Sequence, residues 1–169
     1  MTADLSWLPD LVTLDQCFGD WGLYVDVIYG CFRREFVDSS PSLLGKEVRI
    51  RWAPMHDEKP DTFWHLVSEG TPEPDRLPAL RRCERIRWPH ALISEAHESD
   101  KVRIWTSASR GEPRVYLATT DFSYVAVFAD RESYRLLITA FPVEYERKRN
   151  QFRKEFDVAT DDTKANTTN

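Results

Sequence analysis

Leu136-Leu137-Ile138-Thr139-Ala140-Phe141-Pro142 reads as a buried strand carrying one reactive polar residue among apolar ones. Three more strand-like runs precede it in quick succession, so that residues 101–107, 114–119, 123–129 and 134–141 form a series. Ser109-Arg110-Gly111-Glu112-Pro113 joins the first pair and Asp130-Arg131-Glu132 the last, both of hairpin length. A meander of four antiparallel strands is the topology this spacing predicts. Strict alternation along the last strand places Arg135, Leu137, Thr139 and Phe141 on one face.

Upstream, Thr62-Phe63-Trp64-His65-Leu66-Val67 reads as a second core strand, over residues 62–68, with a histidine set into it. Residues 46–52 alternate apolar and charged side chains and read as a half-exposed strand. An apolar stripe with a 3.6-residue period predicts a long helix over residues 13–36, and Thr13 with Gln16 offers a capping box. Residues 70–78, with three prolines, read as an irregular connection. Residues 80–98 read as helix, restarted at Pro89. Residues 144–156 predict a charged terminal helix, and 157–169 a polar, disordered tail. The expected fold is α+β: N-terminal helices packed on one face of a curved antiparallel sheet, followed by a C-terminal helix. Residues 1–156 form one domain in this reading, with a helical and strand part over 1–60 and a core over 61–147.

The chain has 169 residues, 41% of them hydrophobic, enough to bury one sizeable core. No run approaches the ~20 apolar residues of a membrane span, and the N-terminus lacks the pattern of a secretory signal. Cys17, Cys31 and Cys83 show no CxxC spacing and read as three reduced, buried thiols in a cytoplasmic protein. The net charge is −5, but it is uneven. Asp4, Asp10, Asp15, Asp20 and Asp26 fall in the first thirty residues without a Lys or Arg, whereas Arg76, Arg81, Arg82, Arg85 and Arg87 cluster against Glu84 alone. An acidic chain with a local arginine cluster fits a site that grips a few phosphates better than a long electrostatic groove.

His65 is either a core histidine bonded to backbone or a site residue facing a cleft, and the pattern leaves both open. Thr139 is at home in a strand, and its hydroxyl gains interest only if it faces His65. Arg81 and Arg85, four apart, share a helical face with Arg82 near it, while Arg103 and Arg114 lie in strands. No H-x-x-x-H pair occurs, so no metal is expected. Nothing matches a nucleophile elbow, a P-loop or a dinucleotide fingerprint.

The T-F-W-H-L-V run, the R-C-E-R-I-x-W segment from Arg82, the strand series and the closing L-L-x-T-A-F-P resemble phage- and toxin-associated members of the BECR superfamily. These are the barnase, EndoU, colicin E5/D and RelE-like nucleases, and the likeness covers residues 62–147. The resemblance implies a metal-independent endoribonuclease without a cofactor, in which the 2′-hydroxyl of RNA attacks the neighbouring phosphorus. Carried over by position, its catalytic set is His65, Arg85 or Arg114, and Thr139, with Arg81, Arg82 and Tyr134 as substrate-binding candidates. Phe141 stands where many relatives have Tyr, so a phenol is missing there, and Tyr134 replaces it only by reaching the cleft. RNA is the expected partner, with an immunity protein or larger assembly on the acidic, aromatic N-terminal helix, and no membrane. The alternative is a non-catalytic relative acting as a protein- or RNA-binding module.

Overall fold

The computed structural model describes residues 2–70, 77–97 and 100–167. In chain order it contains a 3-10 turn (Leu14–Cys17), helix α1 (Trp21–Phe36), strands β1 (Ser42–Leu43) and β2 (Lys46–Arg49), and helix α2 (Asp61–Val67). Strands β3 (Ser68–Glu69) and β4 (Leu77–Pro78) and helices α3 (Leu80–Glu84) and α4 (Trp88–Glu95) follow. Strands β5 (Val102–Ser109), β6 (Glu112–Thr119), β7 (Tyr124–Asp130) and β8 (Tyr134–Pro142) then lead into helix α5 (Glu146–Thr167). Of the expected irregular connection, residues 71–76 lie outside the described residues, and Leu77–Pro78 pairs with Ser68–Glu69.

The fold is α+β, and the last four strands are consecutive antiparallel neighbours. The sheet is nevertheless six-stranded and mixed, in the order β1-β2-β8-β7-β6-β5, because β2 runs parallel to β8. The expected four-stranded antiparallel sheet is therefore only part of it. A parallel neighbour needs a long crossover, which here is everything between residues 49 and 134, so no local pattern announces it. Charge holds the join. Lys46 Nζ donates to Asp130 Oδ1 at 2.9 Å and to the Arg131 carbonyl at 2.8 Å. Buried Arg135 donates from Nη1 to the carbonyls of Leu43 and Leu44, with its Nε 3.2 Å from Asp130.

Helices cover both faces, not one. Tyr24, Ile28 and Phe32 of α1, Phe63 and Leu66 of α2, and Leu92 of α4 pack with Leu117, Phe128 and Leu137 of the sheet. On the opposite face, Trp105 stacks on Tyr116 with ring centres 5.1 Å apart and meets Phe152 of α5. Burial on both sides explains why β7, Tyr-Val-Ala-Val-Phe-Ala, is apolar without alternation. The expected disordered tail is corrected as well: α5 runs on through Thr167, with Phe156 and Ala159 against the second cluster, and residues 168–169 lie outside the described residues.

Two further expectations change. The helix expected over 13–36 is interrupted by Phe18 and Gly19, both at positive φ, and restarts where Asp20 Oδ1 accepts the Leu23 N–H at 3.0 Å. More consequentially, the segment expected to be a histidine-bearing strand is helix α2. Pro60 and Asp61 supply a helix start, and Phe63, Leu66 and Val67 follow i, i+3, i+4 spacing into the core. The β-branched and aromatic content of this run is overridden by that burial. Pro89 does open a new helix, in the first turn of α4.

Near the end of α1, Glu35 lies against the α3–α4 connection with its Oε1 3.6 Å from Arg87 Nε, while its Oε2 is buried without a partner. Burial pushes its carboxyl up to about 7, Arg87 opposing only in part. A raised acid costs nothing below its unfolded value near 4.5, where both states hold the proton, and costs stability increasingly as pH rises to about 7, levelling off above it. Glu35→Gln is therefore expected to be more stable than wild type at pH 8 by about 2 kcal/mol and equal to it near pH 4. Urea unfolding at the two pH values checks this; a variant weaker at pH 8 would mean that the Arg87 pair outweighs desolvation.

Candidate functional site

The last carbonyls of a helix have no partner within it and must find one elsewhere. At the end of α2, the Ser68 hydroxyl donates to the Trp64 carbonyl, and the Ala79 N–H to the Val67 carbonyl at 2.9 Å. The His65 carbonyl accepts from Arg82 Nη1 at 3.3 Å and from the Thr139 hydroxyl at 3.5 Å. Arg82 Nη1 also donates to Thr139 Oγ1 at 3.4 Å. Three residues from α2, α3 and β8 thus meet at one point.

Thr139 reaches it because of two irregularities in β8. Strand β2 accompanies β8 only as far as Leu136, so α2 and α3 pack against the remainder of β8. A bulge then adds a residue: Phe128 pairs with Leu137 but Val127 with Thr139, leaving Ile138 over. The bulge divides the face expected from alternation. Arg135 and Leu137 are buried, Leu137 in the cluster beneath α1, while Phe141 packs with the cluster beneath α5.

The His65 ring is turned one helical step back, its Nε2 3.4 Å from Asp61 Oδ2. The Asp61 side chain is 6% exposed and that of His65 is 24% exposed. Asp61 occupies the first turn of α2, where helix N–H groups stabilise negative charge, and its own N–H donates to the Trp52 carbonyl at 3.2 Å. A carboxylate so placed orients the imidazole. Sequence reasoning missed Asp61, because only helical spacing brings residues 61 and 65 together.

His65 and Asp61 line a hollow of about 500 Å³ with Trp21, Pro54, His56 and Trp64. The Trp64 indole is fixed by a 3.0 Å hydrogen bond to the His56 carbonyl. Cys83 also borders this hollow, but burial pushes its thiol up to about 12, which removes it as a nucleophile at neutral pH. Cys17, Cys31 and Cys83 are all buried free thiols. Arg82 lines a second hollow of about 360 Å³ with Arg81, Phe141, Glu144, Tyr145 and Lys148. Arg82 touches the His65 backbone carbonyl, so the linings of the two hollows meet there.

Of the other expected site residues, none joins His65 and Thr139. Arg85 donates from Nη1 to the Arg81 carbonyl at 3.0 Å and lies 5.0 Å from the centre of the Trp88 ring. Arg114, opposite Ala129, lies two positions from Tyr116 on β6 and shares its face, the one covered by α5, with strand β7 between it and β8. Tyr134 opens β8 opposite Glu47, with the Arg49 guanidinium 4.5 Å above its ring, at the far end of the strand from Thr139. Arg81 is ion-paired to Glu144 at 3.0 Å and borders the second hollow. Among the described residues no group of three or more His, Cys, Asp or Glu side chains is placed to hold a metal ion, and no helix is long and apolar enough to cross a membrane. No family model matches this chain, and neither a curated protein nor a solved structure matches it.

Proposed function

We propose that this protein is a metal-independent endoribonuclease of the toxin- or phage-derived kind, acting in the cytoplasm. The observation that carries the reading is the meeting of Arg82, Thr139 and His65 at the end of α2, from three separate parts of the chain. In the reaction, His65 takes the proton of the 2′-hydroxyl as that oxygen bonds to phosphorus. The P–O5′ bond breaks, and the imidazolium supplies the proton to the departing 5′ oxygen. Asp61 steadies the charge on the ring between the two transfers.

Arg82 meets the negative charge that builds on the phosphoryl oxygens, and the Thr139 hydroxyl is a second donor to them. Their present bonds, 3.3 to 3.5 Å, are long. A charged phosphoryl oxygen is a stronger acceptor than the amide carbonyl they now share. Trp21 and Trp64 offer flat apolar walls for an unpaired base. The basic residue is Arg82 in this mechanism, in place of Arg85 or Arg114.

A binding module without catalysis is the second reading, favoured because Arg82 and Thr139 also cap α2. In that case the exposed Leu23 and Val27, one turn apart on the outer side of α1, are the surface for a protein partner. One assay separates the two. An oligoribonucleotide incubated with the protein in EDTA is expected to yield 2′,3′-cyclic phosphate ends, while the same sequence as DNA stays whole, lacking the nucleophile. Intact RNA in the presence of folded protein would discard catalysis.

A further inference from the structure

We infer that the second hollow, between α3 and the β8–α5 connection, is a subsite for single-stranded RNA next to the scissile phosphate. The inference rests on the ribonuclease reading and extends it to the neighbouring nucleotides. The chain carries a net charge of −5, yet among the described residues this hollow gathers Arg81, Arg82 and Lys148 against Glu69 and Glu144. Glu144 is already paired to Arg81 at 3.0 Å, an exposed pair that a phosphate exchanges easily. Lys148 extends over the Phe152 ring, 4.8 Å from its centre, and donates to Gln151 at 3.2 Å, a neutral partner, with no ion pair to it among the described residues.

Beside these cations stands Tyr145, 76% exposed, with Phe141 under the Arg82 guanidinium at 5.3 Å. An exposed aromatic alone means little. Cations along one wall and an open ring on the other form the pattern by which proteins hold unpaired strands, the charges following phosphates while the ring stacks a base. A double helix offers no unstacked base to Tyr145, and an acidic peptide has no use for the ring.

The wall is also preformed. The Val143 N–H donates to the Ser123 carbonyl at 2.7 Å, and Arg149 Nε to the Val143 carbonyl at 2.8 Å. The Tyr145 carbonyl accepts the N–H groups of Lys148 and Arg149 at the start of α5. Arg82 connects the subsite to the chemistry: one face of its guanidinium lies over Phe141, and its Nη1 touches Thr139 and the His65 carbonyl.

The test uses the full chain and a fluorescent 2′-O-methyl oligoribonucleotide of about eight nucleotides, which the 2′-hydroxyl route cannot cut. Arg81, Lys148 and Tyr145 are exposed, so their substitution leaves the core intact. Arg81→Ala/Lys148→Ala is expected to bind about tenfold more weakly at ~0.1 M salt, with the slope of log affinity against log salt smaller by about 1.4. Tyr145→Ala is expected to bind about fivefold more weakly with an unchanged slope. Unchanged affinity in either variant overturns the subsite, as does displacement of the RNA by polyglutamate of equal charge. Because binding is read on uncleavable RNA, its outcome stands apart from catalysis. Failure of the wild type to cut ordinary RNA in EDTA removes the ribonuclease alone, and cleavage with undiminished binding in the variants removes the subsite alone.

Discussion

His65→Ala is expected to cut the rate of RNA cleavage in EDTA by 10²- to 10⁴-fold, the usual contribution of a positioned acid–base group, while the affinity for uncleavable RNA stays close to that of wild type. The split follows from where the side chain sits. Its ring lines the larger hollow and reaches Asp61, whereas the contacts proposed to grip phosphate belong to Arg82 and Thr139 through the His65 backbone carbonyl, which the substitution keeps. Folding is preserved as well, because the ring is partly exposed and Ala is the better helix former. The loss therefore falls on kcat and not on binding. Equal rates for wild type and variant would take His65 out of the chemistry.

That His65 and Thr139 belong together is expected only from the resemblance, the residue pattern leaving it open, and the way they adjoin was not legible in the sequence. Strands β5 to β8 announce themselves because their turns are short and their side chains β-branched or aromatic; the β5–β6 turn, Arg110-Gly111, takes the positive φ that Gly favours. The run from Thr62 to Val67 is only six residues long and satisfies both periods, since Phe63 and Val67 share a face as a strand and as a helix. What decides it is Leu66, which joins them in the core, together with the Pro60-Asp61 start. Read as a strand, His65 needed to face Thr139 across a sheet. Read as a helix end docked on an unpaired strand edge, the same two residues meet through a carbonyl, and Asp61 enters the site.

The remaining misreadings share a physical cause. The parallel pairing of β2 with β8 joins residues more than eighty positions apart, and the bulge at Ile138 is a register shift within the β7–β8 pair; a period-2 pattern is blind to both. The choice among the arginines has the same origin. Arg81, Arg82 and Arg85 are near-equivalent on a helical wheel, and only the docking of α3 beside β8 selects Arg82. The continuation of α5 beyond Phe156 rests on Ala159 and on Phe156 itself meeting the second cluster, too sparse a stripe to see in a polar run.

Arg82→Ala is expected to lower kcat by 10²- to 10³-fold, the magnitude seen when one preorganised donor to a developing oxyanion is removed. Its effect on stability should be about 1 kcal/mol, since its bonds to the His65 carbonyl and to Thr139 are long, partly exposed and replaceable by water. The two readings of this residue part here. If Arg82 only caps α2, the unfolding midpoint falls and the rate per folded molecule holds. If it also carries the phosphoryl charge, the rate per folded molecule collapses on top of the same small fall in midpoint. Arg82→Lys sharpens the comparison, because lysine keeps the charge but not the fork that spans two oxygens, and should recover only part of the lost rate. Thr139→Val, close to isosteric, removes one donor and no charge, so a loss of about tenfold, smaller than that of Arg82→Ala, is expected. The ordering Arg82→Ala below Arg82→Lys below wild type in kcat, measured per folded molecule, is one that a helix cap alone does not produce.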